Sequence, residues 1–152
     1  MPLHADFRLA GSVDLAPGAY HNRVYVIDDH SEVRQSLNIL LDTFGIVTWS
    51  FSGAREFLDQ LPSLAPAPLL LDITMPGMSG IELLEELAAR KISWPVLIMT
   101  GLNDAPVVFR AQALGVMNVL EKPFSAELLE SAVTTALTAM ADADDDSVTD
   151  LL

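Results

Sequence analysis

Two hydrophobic periods alternate between residues 23 and 140. The runs RVYVID (23–28), IVTWSF (46–51), LLLDI (69–73), VLIMT (96–100) and MNVL (117–120) are short and rich in apolar or β-branched residues. Runs of this kind read as strands, and their lack of apolar–polar alternation suits a sheet covered on both faces. Between them the spacing becomes helical. Val33, Leu37, Leu40, Leu41 and Phe44 fall on one face, and Gly45 ends that helix. Ser52 is placed to cap a short helix carrying Phe57, Leu58 and Leu61, which Pro62 would close. Segment 80–90 aligns Ile81, Leu84 and Leu87, a helix over about 104–114 stops at Gly115, and Ser125 caps a last helix. That helix is expected to point Leu128, Leu129, Ala132, Val133, Ala136 and Met140 inward.

Five strands alternating with five helices predict an α/β fold with a parallel sheet between two helical layers. Right-handed crossovers leave an open doubly wound sheet or part of a barrel, and five units are too few for an eight-stranded barrel. In an open sheet of this kind ligands bind beyond the carboxyl ends of the strands.

Charge and composition narrow the function. The chain carries 8 basic and 21 acidic residues, a net of −13, which disfavours contact with nucleic acid or anionic lipid. It contains no cysteine, so disulfide scaffolds, zinc ribbons and thiol nucleophiles are excluded. No apolar run approaches the ~18 residues of a membrane span, and the N-terminus has no signal-like apolar core. A cytoplasmic location is therefore expected. The three histidines, His4, His21 and His30, lack helical metal spacing. Residues 141–152 hold five aspartates and no base, and are expected to form an acidic tail or linker. Residues 1–22 are expected to be a flexible N-terminal arm, leaving 23–140 as the domain.

The topology gathers particular polar residues at one edge of the sheet. The first strand ends in Asp28-Asp29, the third in Asp72 and the fourth in Thr100, and Glu121-Lys122-Pro123 follows the fifth. Singly, each has an ordinary role: Asp29 as a helix cap, Asp72 as a turn residue, Thr100 as strand-end chemistry, Lys122 as a solvated lysine. Together, three carboxylates at one point repel, each pair by about 4 kcal/mol at ~4 Å and an effective dielectric of ~20. A cation must neutralise them or one must stay protonated. Oxygen ligands alone suit Mg²⁺ or Mn²⁺, and a lysine opposite the metal suggests an anionic guest such as phosphate.

VYVIDD, LLLDITMPGMSGIELL, LIMTG and EKPF, in this order and spacing, resemble the receiver domain of two-component response regulators, the CheY-like family. Within that family they are most similar to FixJ-type receivers. The resemblance implies a flavodoxin-like sheet of order 2-1-3-4-5, and a phosphoacceptor at Asp72. It also implies direct Mg²⁺ ligation by Asp29, Asp72 and the Thr74 carbonyl, with Asp28 acting through a water. Thr100 and Lys122 would contact the phosphoryl oxygens, and the Lys122–Pro123 peptide would be cis. The implied partner is a sensor histidine kinase or a histidine phosphotransfer protein, the output is transcriptional, and a phosphorylation-dependent homodimer is compatible with it. Such a domain is not an enzyme beyond its own phosphorylation and slow dephosphorylation. The residues flanking the water approach to the phosphorus would be Thr74 and Leu102.

One position departs from the family pattern. An aromatic residue usually lies three positions before the lysine, and here that position is Val119. Phe109 is the nearest aromatic in the preceding helix, and core or interface packing is its expected role. Two alternative functions remain. An aspartate-nucleophile phosphohydrolase needs a second acid where this chain has Thr74. A degenerate receiver would serve only as a docking module.

Overall fold

The computed structural model describes residues 22–101 and 104–151, with residues 143–151 as backbone. Its strands are β1 (Arg23–Ile27), β2 (Val47–Phe51), β3 (Leu69–Asp72), β4 (Val96–Thr100) and β5 (Asn118–Glu121). The helices are α1 (Ser31–Thr43), α2 (Ala54–Gln60), α3 (Gly80–Ala89), α4 (Ala105–Ala113) and α5 (Ala126–Leu151). All strand pairs are parallel, in the order β2-β1-β3-β4-β5. This is the open, doubly wound α/β sheet that the alternating periods predict.

Successive strand residues point to opposite faces, and each face builds its own core. Tyr25, Ile27, Leu69, Leu71 and Ile98 pack with Phe57, Leu83, Leu84 and Ala111 from α2, α3 and α4. Val24, Val26, Leu70, Leu97 and Met99 pack with Leu37, Leu41, Leu129 and Val133 from α1 and α5. Tyr25 anchors the first layer. Its ring lies 6.0 Å from those of Phe51, Phe57 and Trp94, and its hydroxyl donates to the Ala65 carbonyl at 2.6 Å. Aromatic pairs of this kind contribute about 0.5–1.5 kcal/mol each beyond area burial.

Most helix ends follow the sequence signals. Gly45 and Gly115 close α1 and α4 at φ +77° and +91°, where a side chain would be strained. The Ser125 hydroxyl accepts the Leu128 N–H at 3.0 Å. Ser79 and Glu82 form a reciprocal capping box at the start of α3. Four expectations change. Gly53, not Ser52, is the N-cap of α2, and the Ser52 amide and hydroxyl both bond Glu56 Oε1, at 2.6 and 3.0 Å. Pro62 does not itself end the short helix, which stops at Gln60, but sits early in a 3₁₀ turn, Leu61–Ser63, where its missing N–H is not needed. Leu128 is 44% exposed, because the buried stripe of α5 runs through Leu129, Ala132, Val133 and Ala136 and leaves Leu128 at its edge. Met140 is half-buried.

The acidic stretch 141–151, expected to be a tail or linker, continues α5 as helix. No glycine or proline stands between Ala126 and Leu151 to stop it. Of the expected arm 1–22, only Asn22 lies within the described residues, and its carbonyl accepts the Val47 N–H at 2.8 Å, extending the β1–β2 ladder. No helix of the described residues is long and apolar enough to cross a membrane.

Gly80, the first residue of α3, fixes how closely that helix approaches the end of β3. A Cβ there would meet the Ile73 Cα at 2.8 Å and the Asp72 carbonyl oxygen at 2.9 Å, both backbone atoms that cannot swing away. Gly80→Ala is expected to destabilise the fold by about 1–3 kcal/mol, the usual range for overpacking. Gly53→Ala should cost far less, since nothing lies within 4 Å of its added carbon and its φ of −173° is ordinary extended backbone. Urea denaturation of both variants checks this, and an unchanged midpoint for Gly80→Ala would contradict the close apposition.

Candidate functional site: the acidic pocket at the carboxyl edge

Strand register brings the predicted residues together. Ile27 pairs with Leu71, so Asp28 and Asp72 leave neighbouring strands at the same level. Asp72 in turn pairs with Met99, one residue before Thr100, and Thr100 pairs with Glu121, one residue before Lys122. Asp28, Asp72 and Thr100 are the buried polar residues among those described. Asp29 is half-buried beside them.

The contacts are specific. Lys122 Nζ lies 3.7 Å from Asp28 Oδ2. Thr74 N–H donates to Asp72 Oδ1 at 3.0 Å, folding the chain after β3 back over the carboxylate. Asp28 Oδ1 accepts the His30 N–H at 2.9 Å. The Arg34 guanidinium donates to the Asp28 carbonyl at 2.7 Å, tying the first turns of α1 to the end of β1. The Lys122–Pro123 peptide is cis.

One donor atom from each of Asp28, Asp29, His30 and Asp72 falls within 4.8 Å of the others. Asp28 Oδ2 and Asp29 Oδ1 are buried without a hydrogen-bond partner. Unsatisfied buried carboxylate oxygens are costly, and a hard divalent cation with oxygen preference satisfies them. The donor set therefore fits such an ion.

Three nearby residues were not read from the sequence as part of the site. His30 lacks helical metal spacing, but it follows the strand-end pair directly, and its Nδ1 lies 3.2 Å from Asp28 Oδ1 and 3.3 Å from Asp29 Oδ1. Asp104 sits at the N-cap of α4 without capping it. Its Oδ2 instead accepts the Thr100 hydroxyl at 2.7 Å and the Gly101 N–H at 3.1 Å. Thr100 is thus held by Asp104. Arg34 is the third. Its position gives no signal, because a basic residue in a helix is ordinarily solvated. Val119 is half-buried against the core on the α3–α4 side. Phe109 is 73% exposed, so the core role is corrected: its place on α4 points outward, away from the residues that fill the sheet face. Leu102 lies outside the described residues.

A five-stranded parallel sheet of this order, with an acidic pocket at its carboxyl edge faced by a threonine and a lysine, defines a receiver domain. Residues 24–134 match the response regulator receiver domain, and the chain belongs to that family. The transcriptional regulatory protein FixJ of Bradyrhizobium diazoefficiens is 43% identical over 114 residues, covering 75% of this chain and 56% of that protein. FixJ of Azorhizobium caulinodans is 41% identical, covering 75% of this chain and 54% of its own length. This chain therefore spans just over half of each. Among solved structures, full-length FixJ from B. japonicum superposes with a TM-score of 0.76 at 41% identity, covering 81% of this chain and 61% of that one.

Burial pushes the Asp72 carboxyl above the ordinary carboxylate value. The Thr74 N–H bond opposes the rise, the charge of Asp28 adds to it, Lys122 opposes it, and Asp29 adds to it. A carboxyl whose folded pKa is raised binds more protons in the native state than in the unfolded one. Its contribution favours folding while it is protonated and is lost as pH rises from the unfolded value through the folded one. Asp72→Asn is therefore expected to be more stable than the parent at neutral pH without divalent metal, with the gain shrinking as pH falls through the raised folded value and gone below ~4, the unfolded aspartate value. Thermal melts of both proteins in chelator across this pH range measure it. A gain that is constant with pH would mean that the Asp72 charge is not the cause.

Proposed function

We propose that this chain is the phosphoryl-accepting receiver of a two-component pathway, with Asp72 as the phosphoacceptor. The observation that carries the reading is the convergence of buried Asp28 and Asp72, half-buried Asp29, and Lys122 at the ends of separate strands. The donor is a phosphohistidine on a sensor histidine kinase or a histidine phosphotransfer protein. An Asp72 carboxylate oxygen attacks the phosphorus, the P–N bond breaks, and the departing imidazole nitrogen keeps the electron pair and takes a proton from solvent.

Asp29, Asp72 and the Thr74 carbonyl would hold Mg²⁺ (or Mn²⁺), with Asp28 acting through a water. The ion supplies charge neutralisation at the phosphoryl oxygens. The chain's own residues supply the rest. Lys122, already drawn to Asp28, offers an ammonium to the incoming phosphoryl group. The Thr74 N–H fixes the rotamer of the Asp72 carboxylate. Phosphorylation adds charge and acceptor oxygens to a buried site, and the Thr100 hydroxyl then exchanges its Asp104 acceptor for a phosphoryl oxygen. Because Asp104 is the N-cap residue just before α4, that exchange frees its side chain at the helix start and so links the pocket to the α4–β5 face. The domain acts in the cytoplasm as a signalling switch and catalyses only its own phosphorylation and slow dephosphorylation. Its output is transcriptional, as the role of the FixJ relatives suggests. The acidic surface of this chain makes no contact with nucleic acid or membrane, and a phosphorylation-dependent homodimer is compatible with it.

Incubation with acetyl phosphate and Mg²⁺, followed by intact mass, is expected to show one added phosphoryl group. Asp72→Asn should show none, and a full mass shift in that variant would sink the assignment.

The family resemblance sets two residues along the water approach to the acyl phosphate, and its lifetime is expected to depend on them. Thr74 and Leu102 offer neither a carboxylate nor a base to orient the hydrolytic water. A positioned group of that kind is worth ~10²–10⁴ in rate when fully effective. Decay in Mg²⁺ buffer is expected to be slow, and faster in Thr74→Asn with Leu102→Glu. A parent half-life of seconds, or no acceleration in the double variant, would show that other groups set the rate.

A further inference from the structure

His30 is the first residue after the strand-end pair, and its ring turns inward over the acidic pocket instead of capping α1. Its Nδ1 lies 3.2 Å from Asp28 Oδ1 and 3.3 Å from Asp29 Oδ1, and its donor shares the 4.8 Å cluster with Asp72. Neighbouring corners of an octahedron with bonds of about 2.1 Å are about 3.0 Å apart, so the separation from Asp29 Oδ1 is close to that of two donors on one ion. Asp28 is wholly buried, and its Oδ2 has no hydrogen-bond partner, only the more distant Lys122 ammonium.

We propose that His30 is a fourth protein donor to this pocket, which gives it a preference for divalent transition ions over Mg²⁺. Oxygen donors favour Mg²⁺ and Mn²⁺, whereas an imidazole nitrogen favours borderline ions such as Co²⁺, Ni²⁺ and Zn²⁺. Mg²⁺ dehydrates reluctantly and gains little from an imidazole, so it keeps a water where Co²⁺ takes the ring. The inference rests on the reading of the pocket as a metal site and adds the class of ion it selects. Removing His30 does not endanger the fold, because its side chain is 63% exposed.

The test uses Mg²⁺ and Co²⁺ as probes, titrated calorimetrically into the full chain bearing His4→Ala and His21→Ala, so that no other imidazole competes. Co²⁺ absorption in the visible region supplies a second readout sensitive to nitrogen ligation. In that background His30→Ala is expected to weaken Co²⁺ binding by about tenfold or more, the scale on which metal sites lose affinity when a supporting group is removed. Mg²⁺ affinity should change less than about threefold, because its water-rich sphere does not need the ring. The Co²⁺ spectrum should shift on loss of the ring, and Asp29→Asn should remove Co²⁺ and Mg²⁺ together. Unchanged Co²⁺ affinity in His30→Ala would overturn the proposal. So would a parallel gain for both ions, which would make His30 a competing ion-pair partner. Co²⁺ binding that survives Asp29→Asn would place the ion elsewhere and overturn it as well. If Mg²⁺ fails to bind the parent, the metal-assisted reading itself falls. If Mg²⁺ binds but Co²⁺ selectivity ignores His30, only this inference falls.

Discussion

The molecule is organised around carboxylates that repel one another at the end of a buried sheet. A parallel sheet covered on both faces exposes its backbone and side chains mainly at strand ends, so polar chemistry concentrates there. Here Asp28, just after β1, and Asp72, the last residue of β3, stand at the same level. The apolar strands behind them withhold water, and the raised Asp72 pKa reports that desolvation first and the neighbouring charges second. Lys122, beyond the end of β5, counters part of the charge from the opposite side. Gly80 fits the same design. Only a residue without a side chain lets α3 begin against the Asp72–Ile73 backbone, which keeps the carboxylate fixed relative to the strands beside it.

A pocket of that charge transmits a signal only if something in contact with it has two arrangements. Thr100 is the natural candidate, since its hydroxyl is paired with Asp104 and stands at the end of the strand adjoining β3. Asp104 also holds the Gly101 amide, so the Thr100 hydroxyl and the loop before α4 share one acceptor oxygen on its N-cap residue. Val119 packs quietly against the core, where an aromatic ring would need two positions to act as a switch. On the proposed reading, the coupling would be carried by the Thr100 hydroxyl and the Asp104 carboxylate ahead of α4, with exposed Phe109 on the surface that would respond.

The fold was legible because both hydrophobic periods were clean. Short apolar runs such as LLLD gave the strands, and glycines at positive φ closed α1 and α4 where expected. Asp28, Asp29, Asp72, Thr100 and Lys122 were legible for the same reason: once the strands are placed, their ends are known. What stayed hidden depended on side-chain direction. His30 and Asp104 both occupy helix-start positions, where capping is the ordinary role, and nothing in spacing shows that each turns toward the pocket instead. Leu128 lies one residue from the buried stripe of α5, a difference of about 100° around the helix that apolarity alone does not resolve. The continuation of α5 through the acidic stretch was obscured because charge suggested a boundary, whereas helix termination requires a breaker, and this stretch has none.

Electrostatics on the scale of the whole chain sharpens the same point. With a net charge of −13, the protein repels phosphoryl donors that approach as free anions, and the pocket itself adds to that field. Long-range attraction therefore cannot deliver the phosphoryl group. On the proposed reading, delivery would be favoured by short-range positioning of a docked donor and by local cations, the Lys122 ammonium and an ion held by the carboxylates. Salt weakens the long-range repulsion over a Debye length of about 8 Å at physiological strength but leaves contacts within the pocket nearly unscreened. On the proposed reading, the acidic surface and the cation-demanding pocket would slow small anionic donors relative to a partner whose binding brings the phosphoryl group within reach of Asp72 and Lys122.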